Sequence, residues 1–211
     1  MPYQLSYQYW LWLLIFGGVF LWSAIGPKNH FIWALEVSPA VIGLGVLIVT
    51  HRSFPLTPLV YGLILLHCII LMIGGHYTYA EVPLFDDIAR WMGSERNNFD
   101  KLGHFAQGFV PVMITREIVL RLKIIQKPFW IGFFSVCFSL AFSAFYELIE
   151  WVVAISTGES AEAFLGTQGY VWDTQTDMAL ALLGAISSLA LLTRYHSKQL
   201  NNLTSRLTRT Q

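Results

Sequence analysis

The sequence predicts an all-α, multi-pass transmembrane helical bundle with about six spanning helices and a short interfacial helix. Hydrophobic residues make up 55% and charged residues 12% of the 211 residues, whereas a soluble domain has about 25% charged residues. The mean hydropathy is +0.54. The apolar runs are continuous and approach the ~20 residues that a helix needs to cross a bilayer, without the alternation of barrel strands. This composition excludes a soluble enzyme, a disordered chain and a fibrous repeat.

Six apolar runs are the candidate spans, of which the first is rich in Trp and Leu and the fourth is the least apolar. They cover residues 9–25, 31–50, 56–75, 101–122, 129–155 and 176–195. The first run lacks the basic leader and the cleavage site of a signal peptide, so we expect it to be a span. Residues 1–196 then form a single transmembrane domain, and residues 197–211 form a basic, loosely ordered cytoplasmic tail.

A short helix is predicted in the connection between the third and fourth runs, over residues 84–92. Leu84, Ile88, Trp91 and Met92 share one of its faces at helical spacing. An isolated apolar face on a short, otherwise polar helix is typical of a segment that lies along the membrane surface.

The basic residues predict the orientation, because cytoplasmic loops are enriched in Lys and Arg. Those that follow even-numbered spans are Arg52, Arg116, Arg121, Lys123, Lys127, Arg194, Lys198, Arg206 and Arg209. Only Lys28, Arg90, Arg96 and Lys101 follow odd-numbered spans. The even side is therefore predicted to be cytoplasmic, with both termini on it.

The charge balance also limits the partners. The 13 basic and 13 acidic residues give a net charge of zero, and no basic surface suited to nucleic acid can be recognised. Membrane lipids are the partners that the composition predicts. Cys68 and Cys137 each lie inside an apolar run, where a lone cysteine is usually a small buried hydrophobic residue.

Ionisable side chains occur at the predicted outer ends of four spans. Insertion of such a group into the membrane costs about 2.5–3.5 kcal/mol, so each needs a partner or a function. Most of them form pairs at i, i+3 or i, i+4, which share a helix face. The set comprises His76, Asp100, His104, Glu147, Glu150, Asp173 and Asp177.

These residue types suit a divalent metal such as Zn²⁺, Mn²⁺ or iron. The candidate ligands are His76, His104, Glu147, Asp173 and Asp177. The candidate catalytic residues are Asp100, His104, Glu147, Glu150 and Asp177. Trp151 and Trp172 are candidates to wall a substrate pocket, or else belong to the interfacial aromatic belt. Two alternatives stay open: a metal-free site, and a structural network in which His104 hydrogen-bonds Glu147.

Other polar residues within the spans have simpler interpretations. We expect Glu36 to partner a cation at the outer side and His67 to form a hydrogen bond between helices. Arg116 and Glu117, at the inner interface, are predicted to form an ion network or to contact lipid phosphate.

Four segments carry a resemblance to a known family. They are YAEVP from Tyr79, NNFDKLGHF from Asn97, FYELIEW from Phe145 and QGYVWDTQTDM from Gln168. Over nearly its whole length the chain resembles the YjdF-type bacterial inner-membrane proteins, whose function is unknown. The resemblance implies a multi-pass protein of the bacterial inner membrane.

The second half of the chain also resembles VanZ-like membrane proteins, which are associated with glycopeptide-antibiotic resistance. Asp100, His104, Glu147 and Asp177 match the polar positions of that pattern. Glu150 stands where the pattern has Gln, and Ala181 stands where it has Asn. The resemblance thus implies the same polar residues that the charge pattern selects.

The preferred functional hypothesis is a site that opens at the outer face and hydrolyses lipid-linked or envelope substrates, by metal-dependent or acid–base chemistry. One alternative is a small proton- or ion-coupled transporter, for which the stripe of Ser135, Ser139 and Ser143 is a candidate path. The other is a structural membrane protein with a buried polar network.

Overall fold

The computed structural model of the protein describes residues 7–157 and 168–209, and within these ranges it contains helices and no strands. A 3₁₀ turn, Tyr79–Glu81, follows the third helix. The α-helices are α1 (Tyr7–Ala24), α2 (His30–Thr50), α3 (Pro58–Tyr77), α4 (Pro83–Trp91), α5 (Phe99–Phe109), α6 (Pro111–Arg121), α7 (Pro128–Thr157) and α8 (Asp173–Arg209). The predicted all-α class is confirmed.

Local sequence signals explain where several helices begin. The side chain of Asn29 caps α2 by accepting hydrogen bonds from the backbone N–H groups of Phe31 and Ile32. Proline stands in the first turn of α3, α4 and α6. Its missing N–H is harmless there, because the first turn of a helix has no intrahelical acceptor for it.

The chain passes along the bundle six times, through α1, α2, α3, the pair α5–α6, α7 and α8. By length and composition, α2, α3, α7 and α8 are able to cross a membrane. The indole of Trp12 donates to the Tyr61 carbonyl at one end, and that of Trp33 donates to Ser23 at the other. We name the end where α2, α5 and α8 begin the cluster end, and the other the opposite end. The prediction of about six spans is confirmed as an approximation.

The fourth predicted span is two helices rather than one. The sequence predicts a continuous helix over 101–122, but α5 ends at Phe109 and α6 begins at Pro111. Pro111 has no N–H to donate to the carbonyl of Gln107, so the helical ladder is interrupted there. The break lies one turn below the polar residues of α5 and separates them from the charged end of α6.

The contact between α5 and α8 is close enough that backbone touches backbone. A Cβ added to Gly108 would lie 1.7 Å from the carbonyl oxygen of Ala181, and one added to Gly184 would lie 2.1 Å from that of Phe105. Small residues permit such an approach between membrane helices. This small-residue seam fixes the polar residues of α5 against those of α8.

Helix α4 is the short helix that the sequence predicts. The apolar face points away from the protein, since Leu84 is 63% and Trp91 is 88% exposed. The opposite face packs through Ala89, which is buried. An apolar face without a protein partner fits the predicted position along the membrane surface.

The segment after residue 196, which the sequence predicts to be a basic tail, is helical in its described part. Helix α8 continues to Arg209. The side chain of Gln199, on this helix, accepts a hydrogen bond from the backbone N–H of Leu59, and the neighbouring Leu200 is buried. Residues 197–211 contain no Gly or Pro, so nothing in the sequence ends the helix at that point.

At the opposite end, polar side chains join α3, α6 and α8. We call this group the opposite-end cluster; it comprises Thr57, Arg116, Glu117, Arg121 and His196. Glu117 is fully buried, and its carboxylate accepts from Thr57, Arg121 and His196. A guanidinium can only donate, so Nδ1 of His196 accepts from Arg116 while its Nε2–H donates to Glu117. The ion network predicted for Arg116 and Glu117 is present.

Candidate functional site

Three helices bring the predicted carboxylates and His104 together at the cluster end. Asp100 and His104 lie one turn apart on α5, Glu147 and Glu150 lie on α7, and Asp177 lies in the first turns of α8. We call these five residues the His104 cluster. Asp100 lies in the first turn of α5, where the backbone dipole favours a carboxylate, whereas Glu147 and Glu150 lie toward the C-terminal end of α7 and gain no such stabilisation.

Two sets of potential ligand atoms share the imidazole of His104. In each set the atoms lie within 4.8 Å of one another. One set comprises Asp100, His104 and Asp177, and the other comprises His104, Glu147 and Glu150. All five side chains are buried, so four carboxylates and one imidazole share a small volume that bulk water does not reach.

The imidazole lies between two carboxylates without being fully bonded to them. Its Nε2 lies 3.3 Å from Oδ1 of Asp100, and its Nδ1 lies 3.6 Å from Oε1 of Glu147. The second distance is too long for a hydrogen bond. His104 and Glu147 are therefore in electrostatic contact without the direct hydrogen bond that the network hypothesis expects, and the network itself stays a hypothesis.

Several buried atoms of the cluster have no hydrogen-bond partner in the described part of the chain. They are Oδ2 of Asp100, Nδ1 of His104, Oε1 of Glu147 and Oδ1 of Asp177. Their residues are between 2% and 8% exposed. An unsatisfied buried polar atom costs about 1–3 kcal/mol, so four of them at one point indicate a place that receives a ligand, a water or a proton.

The donor set fits a divalent cation. Carboxylates suit Mn²⁺ and Mg²⁺, and an imidazole adds affinity for Zn²⁺ or Fe²⁺. The unpartnered atoms belong to residues of both sets of potential ligands. A cation would also offset the repulsion among four carboxylates that burial otherwise strengthens.

A small cavity adjoins the cluster and has room for a single small group. Its volume is about 20 Å³, which is near the minimum that holds one water. Glu36 of α2 reaches this cavity and accepts a hydrogen bond of 3.2 Å from the hydroxyl of Tyr146. The cationic partner predicted for Glu36 is therefore wrong, because its carboxylate is buried and bonded to a phenol instead.

Tyr79 closes the cavity from the connection after α3. The backbone of Thr78 has a φ of 59°, unusual for a residue with a side chain, and this turns the ring of Tyr79 inward. The ring rests against Gly74 and Gly103, where an added Cβ would lie 2.3 Å and 2.8 Å from it. Burial, with the charge of Glu36 nearby, raises the pKa of the Tyr79 phenol well above its usual range, so the phenol stays a proton donor.

His76, a predicted metal ligand, lies outside the cluster. It occupies the last turn of α3 and faces α1, where its Nδ1–H donates to the carbonyl of Ser23 at 3.0 Å. Its ring packs on that of Trp22. Helical rotation decides this outcome, since the level of a residue in the bundle does not fix the direction of its side chain.

Asp173, another predicted ligand, is engaged elsewhere. It forms a partly buried ion pair with Arg96, 77 residues earlier in the sequence. It belongs to neither of the two sets of potential ligands found among the described residues. An Asp that already neutralises a guanidinium is a poor candidate for a metal ligand, and its position at the start of α8 indicates a role in holding the loop before α5.

The two tryptophans predicted to wall a pocket face outward. Trp151 is 58% and Trp172 is 62% exposed, and neither lines the cavity at the cluster. Their positions fit the aromatic belt, which is the other interpretation of these residues.

The pattern of charged pairs missed three residues of the cavity wall: Gln107, Tyr146 and Glu36. Gln107 falls on the same face of α5 as Asp100 and His104, at i+7 and i+3, so its spacing was a usable signal. Tyr146 directly precedes Glu147, and its direction depends on how α7 packs. His67, predicted to bond between helices, lines the cavity as well.

Comparison with known proteins places the chain in a family. The model of the family described as "Predicted membrane protein (DUF2238)" matches residues 8–198. The chain is 47% identical over 182 residues, 86% of its own length and 87% of the relative's, to "Inner membrane protein YjdF" of Escherichia coli (strain K12). No solved structure matches. The relative agrees with the predicted inner-membrane location, and the chain belongs to the DUF2238 family of membrane proteins.

Proposed function

We propose that this protein is a membrane-embedded hydrolase of lipid-linked or envelope substrates, with a divalent metal held at the His104 cluster. The observation that carries the proposal is the set of unpartnered buried atoms on Asp100, His104, Glu147 and Asp177. The fully bonded carboxylate of Glu117 is what a purely structural network looks like in this same chain.

The residues divide between two roles. Asp100, His104 and Asp177 would hold the cation, since they form one compact set on the rigid pair α5–α8. A cation there supplies Lewis acidity and makes a bound water more acidic. Glu147 of α7 is the candidate general base, because its Oε1 is unpartnered and adjoins His104. Glu150, the α7 carboxylate that lines the cavity, is the second candidate for that role.

The walls contribute exclusion of water and orientation. The hydroxyl of Tyr146 holds the Glu36 carboxyl on the far side of the cavity. The cavity has room for one water-sized group, so a reacting water would be confined between the carboxylates of α5 and α7. Confinement of this kind holds the water in a fixed position relative to the reacting bond, so that the two need not meet by diffusion.

Metal analysis of the full-length protein, purified in detergent, tests the proposal. The wild type is expected to contain a stoichiometric divalent metal, and His104→Ala and Asp177→Asn are expected to lose it. Asp87→Asn is the matched control, because this acid lies on α4 at the same end but is 66% exposed and paired with Arg90. Metal-free wild type, or equal metal in all four proteins, would contradict the metal-dependent form.

Activity is the second measurement. The wild type, incubated with a total lipid extract of a bacterial envelope, is expected to release water-soluble head groups detectable by mass spectrometry, and Glu147→Gln is expected to abolish the release. Release by a metal-free wild type would favour the acid–base form, in which His104 carries a proton between Asp100 and Glu147.

The transporter alternative has less support. The hydroxyls of Ser135 and Ser139 donate to carbonyls one turn earlier in their own helix, as packing serines do. Between Phe129 and Tyr146, α7 carries no charged residue or His that could relay a proton. Proton flux in liposomes that Glu147→Gln abolishes would favour transport over hydrolysis.

A further inference from the structure

The proposed hydrolysis leaves an apolar cavity of about 500 Å³ unexplained. It lies among α2, α3, α6 and α7 and extends from the His104 cluster toward the opposite end. Most of its lining is apolar, from residues such as Ala40, Cys68, Ile114 and Phe142. A cavity of this character at membrane depth accepts hydrocarbon rather than a polar solute.

The apolar cavity adjoins the polar one. His67, Leu71, Gln107 and Tyr146 line both. The hydroxyl of Tyr146 is bonded to Glu36 on the polar side, while the residue also borders the apolar space. A molecule that fills the large cavity therefore has one end against the wall of the polar cavity and the remainder in an apolar environment.

The cavity is accessible from the side. Helix α2 packs closely on α3 but not on α6 or α7 among the described residues. Two lining residues on either side of this gap, Val46 and Leu122, are 55% and 58% exposed. In a bilayer these surfaces contact lipid tails, so a tail can pass into the cavity without crossing water.

The cavity is long enough for one lipid chain. From Gln107 to Leu122 the lining extends up to about 22 Å by helical rise, which exceeds the thickness of one leaflet of the hydrocarbon core, about 15 Å. The polar cavity, at about 20 Å³, has no room for a head group. The hydrocarbon part of a substrate therefore lies in the large cavity, and its head group stays outside the polar cavity, which admits no more than the bond between them.

We propose that the apolar cavity binds a single hydrocarbon chain of a membrane lipid and presents the bond at the head of that chain to the His104 cluster. The presentation of a scissile bond rests on the proposed function. The chain-binding site stands on the cavity alone.

Photo-crosslinking tests chain binding. The full-length protein is reconstituted in vesicles that contain phosphatidylethanolamine with a diazirine in its acyl chain, and crosslinked positions are mapped by mass spectrometry. Crosslinks at Ala40, Cys68 and Ile114 are expected to exceed those at the outward-facing Leu14 and Val49, which are 72% and 79% exposed.

Two glycines of α2 provide a matched pair of variants. Gly43 lines the cavity and Gly45 does not, and a Cβ at either position meets nothing within 4 Å. Gly43→Phe is expected to fill the cavity and to abolish the excess of cavity crosslinks. Gly45→Phe is expected to retain it. Ile114→Phe, from the facing wall, checks that the loss does not depend on one helix.

The outcomes separate this inference from the proposed function. Crosslinks spread evenly over cavity and outward positions, or lost equally in Gly43→Phe and Gly45→Phe, would overturn chain binding while leaving the metal measurement untouched. His104→Ala is expected to retain the cavity crosslinks, since the chain site lies below the cluster. If the wild type contains no metal but shows the cavity crosslinks, the metal proposal is wrong and the chain site is supported.

Discussion

The two polar clusters of this protein are alike in burial and opposite in bonding. Glu117, in the opposite-end cluster, accepts from a backbone N–H, a hydroxyl, an imidazole and a guanidinium. Glu147, in the His104 cluster, has an oxygen with no donor among residues 7–157 and 168–209, and its nearest imidazole nitrogen is 3.6 Å away. Donors surround the first carboxylate, among them the guanidinium of Arg121, whereas the second shares its one imidazole with the carboxylates of Asp100 and Glu150.

The difference shows that buried charge by itself does not identify a functional site. A buried acid with a complete set of donors holds helices together, and removal of any partner leaves a buried charge that nothing compensates. A buried acid with free lone pairs is kept at a cost in stability, which a function explains better than folding does. The predictions below test this contrast, beginning with the largest effect.

The largest expected effect comes from the paired substitutions Glu117→Gln and Glu147→Gln. Glu117→Gln should reduce the free energy of unfolding by about 3–5 kcal/mol, because it leaves the cations of α6 and His196 without their anion. Glu147→Gln should change it little or raise it, because it removes one of several repelling carboxylates. Thermal unfolding in detergent measures both. Equal losses would mean that the two clusters do the same structural work.

Metal addition should stabilise one cluster only. A divalent cation at 100 times its Kd is expected to stabilise the wild type by about 2.7 kcal/mol. Asp177→Asn should lose this response. Arg121→Ala, at the opposite end, should keep it even though its starting stability is lower. The midpoint of thermal unfolding with and without a chelator provides the measurement, and a response that survives in Asp177→Asn would place the cation elsewhere.

We expect substitutions in the small-residue seam to destabilise the protein even when they add only one methyl group. Gly108→Ala adds one methyl group against the Ala181 carbonyl and should cost about 1–3 kcal/mol by overpacking. Gly62→Ala on α3, where an added Cβ meets nothing within 4 Å, is the control and should be neutral. Because the seam holds Asp177 against α5, Gly108→Ala should also weaken metal retention, which the same metal analysis would detect.

The smallest expected effect is at the edge of the His104 cluster. Tyr146→Phe removes the hydroxyl that donates to Glu36 and should cost about 0.5–1.5 kcal/mol. Tyr195→Phe, whose ring is 55% exposed, should cost nothing measurable. Thermal unfolding compares them. A neutral Tyr146→Phe would show that Glu36 does not depend on this phenol.

The sequence predicts the meeting of Asp100, His104, Glu147, Glu150 and Asp177 because each occurs at a helix end on the same side of the membrane. Helical spacing then places each pair on one face. The role of these residues stays a proposal. The level of a residue follows from counting along the chain, and this part of the reasoning is reliable.

Rotation about the helix axis is the part that counting does not supply. His76 and Glu36 lie at similar levels, yet His76 turns to Ser23 of α1 and Glu36 turns to Tyr146 of α7. Both directions depend on how α2 and α3 pack. Asp173 shows a related limit, since its partner Arg96 is distant in sequence and becomes a neighbour only after folding.

The backbone contact of Gly108 with Ala181, and of Gly184 with Phe105, affects how the protein adapts to membranes of different thickness. Helices adapt to a thinner or thicker bilayer by tilting. Two helices joined main chain to main chain tilt as one body, so the separation between Asp100 and Asp177 is insulated from lipid composition. Helix α7 is then the helix whose tilt changes. We therefore expect the distance of Glu147 from Asp100 and Asp177 to vary with bilayer thickness.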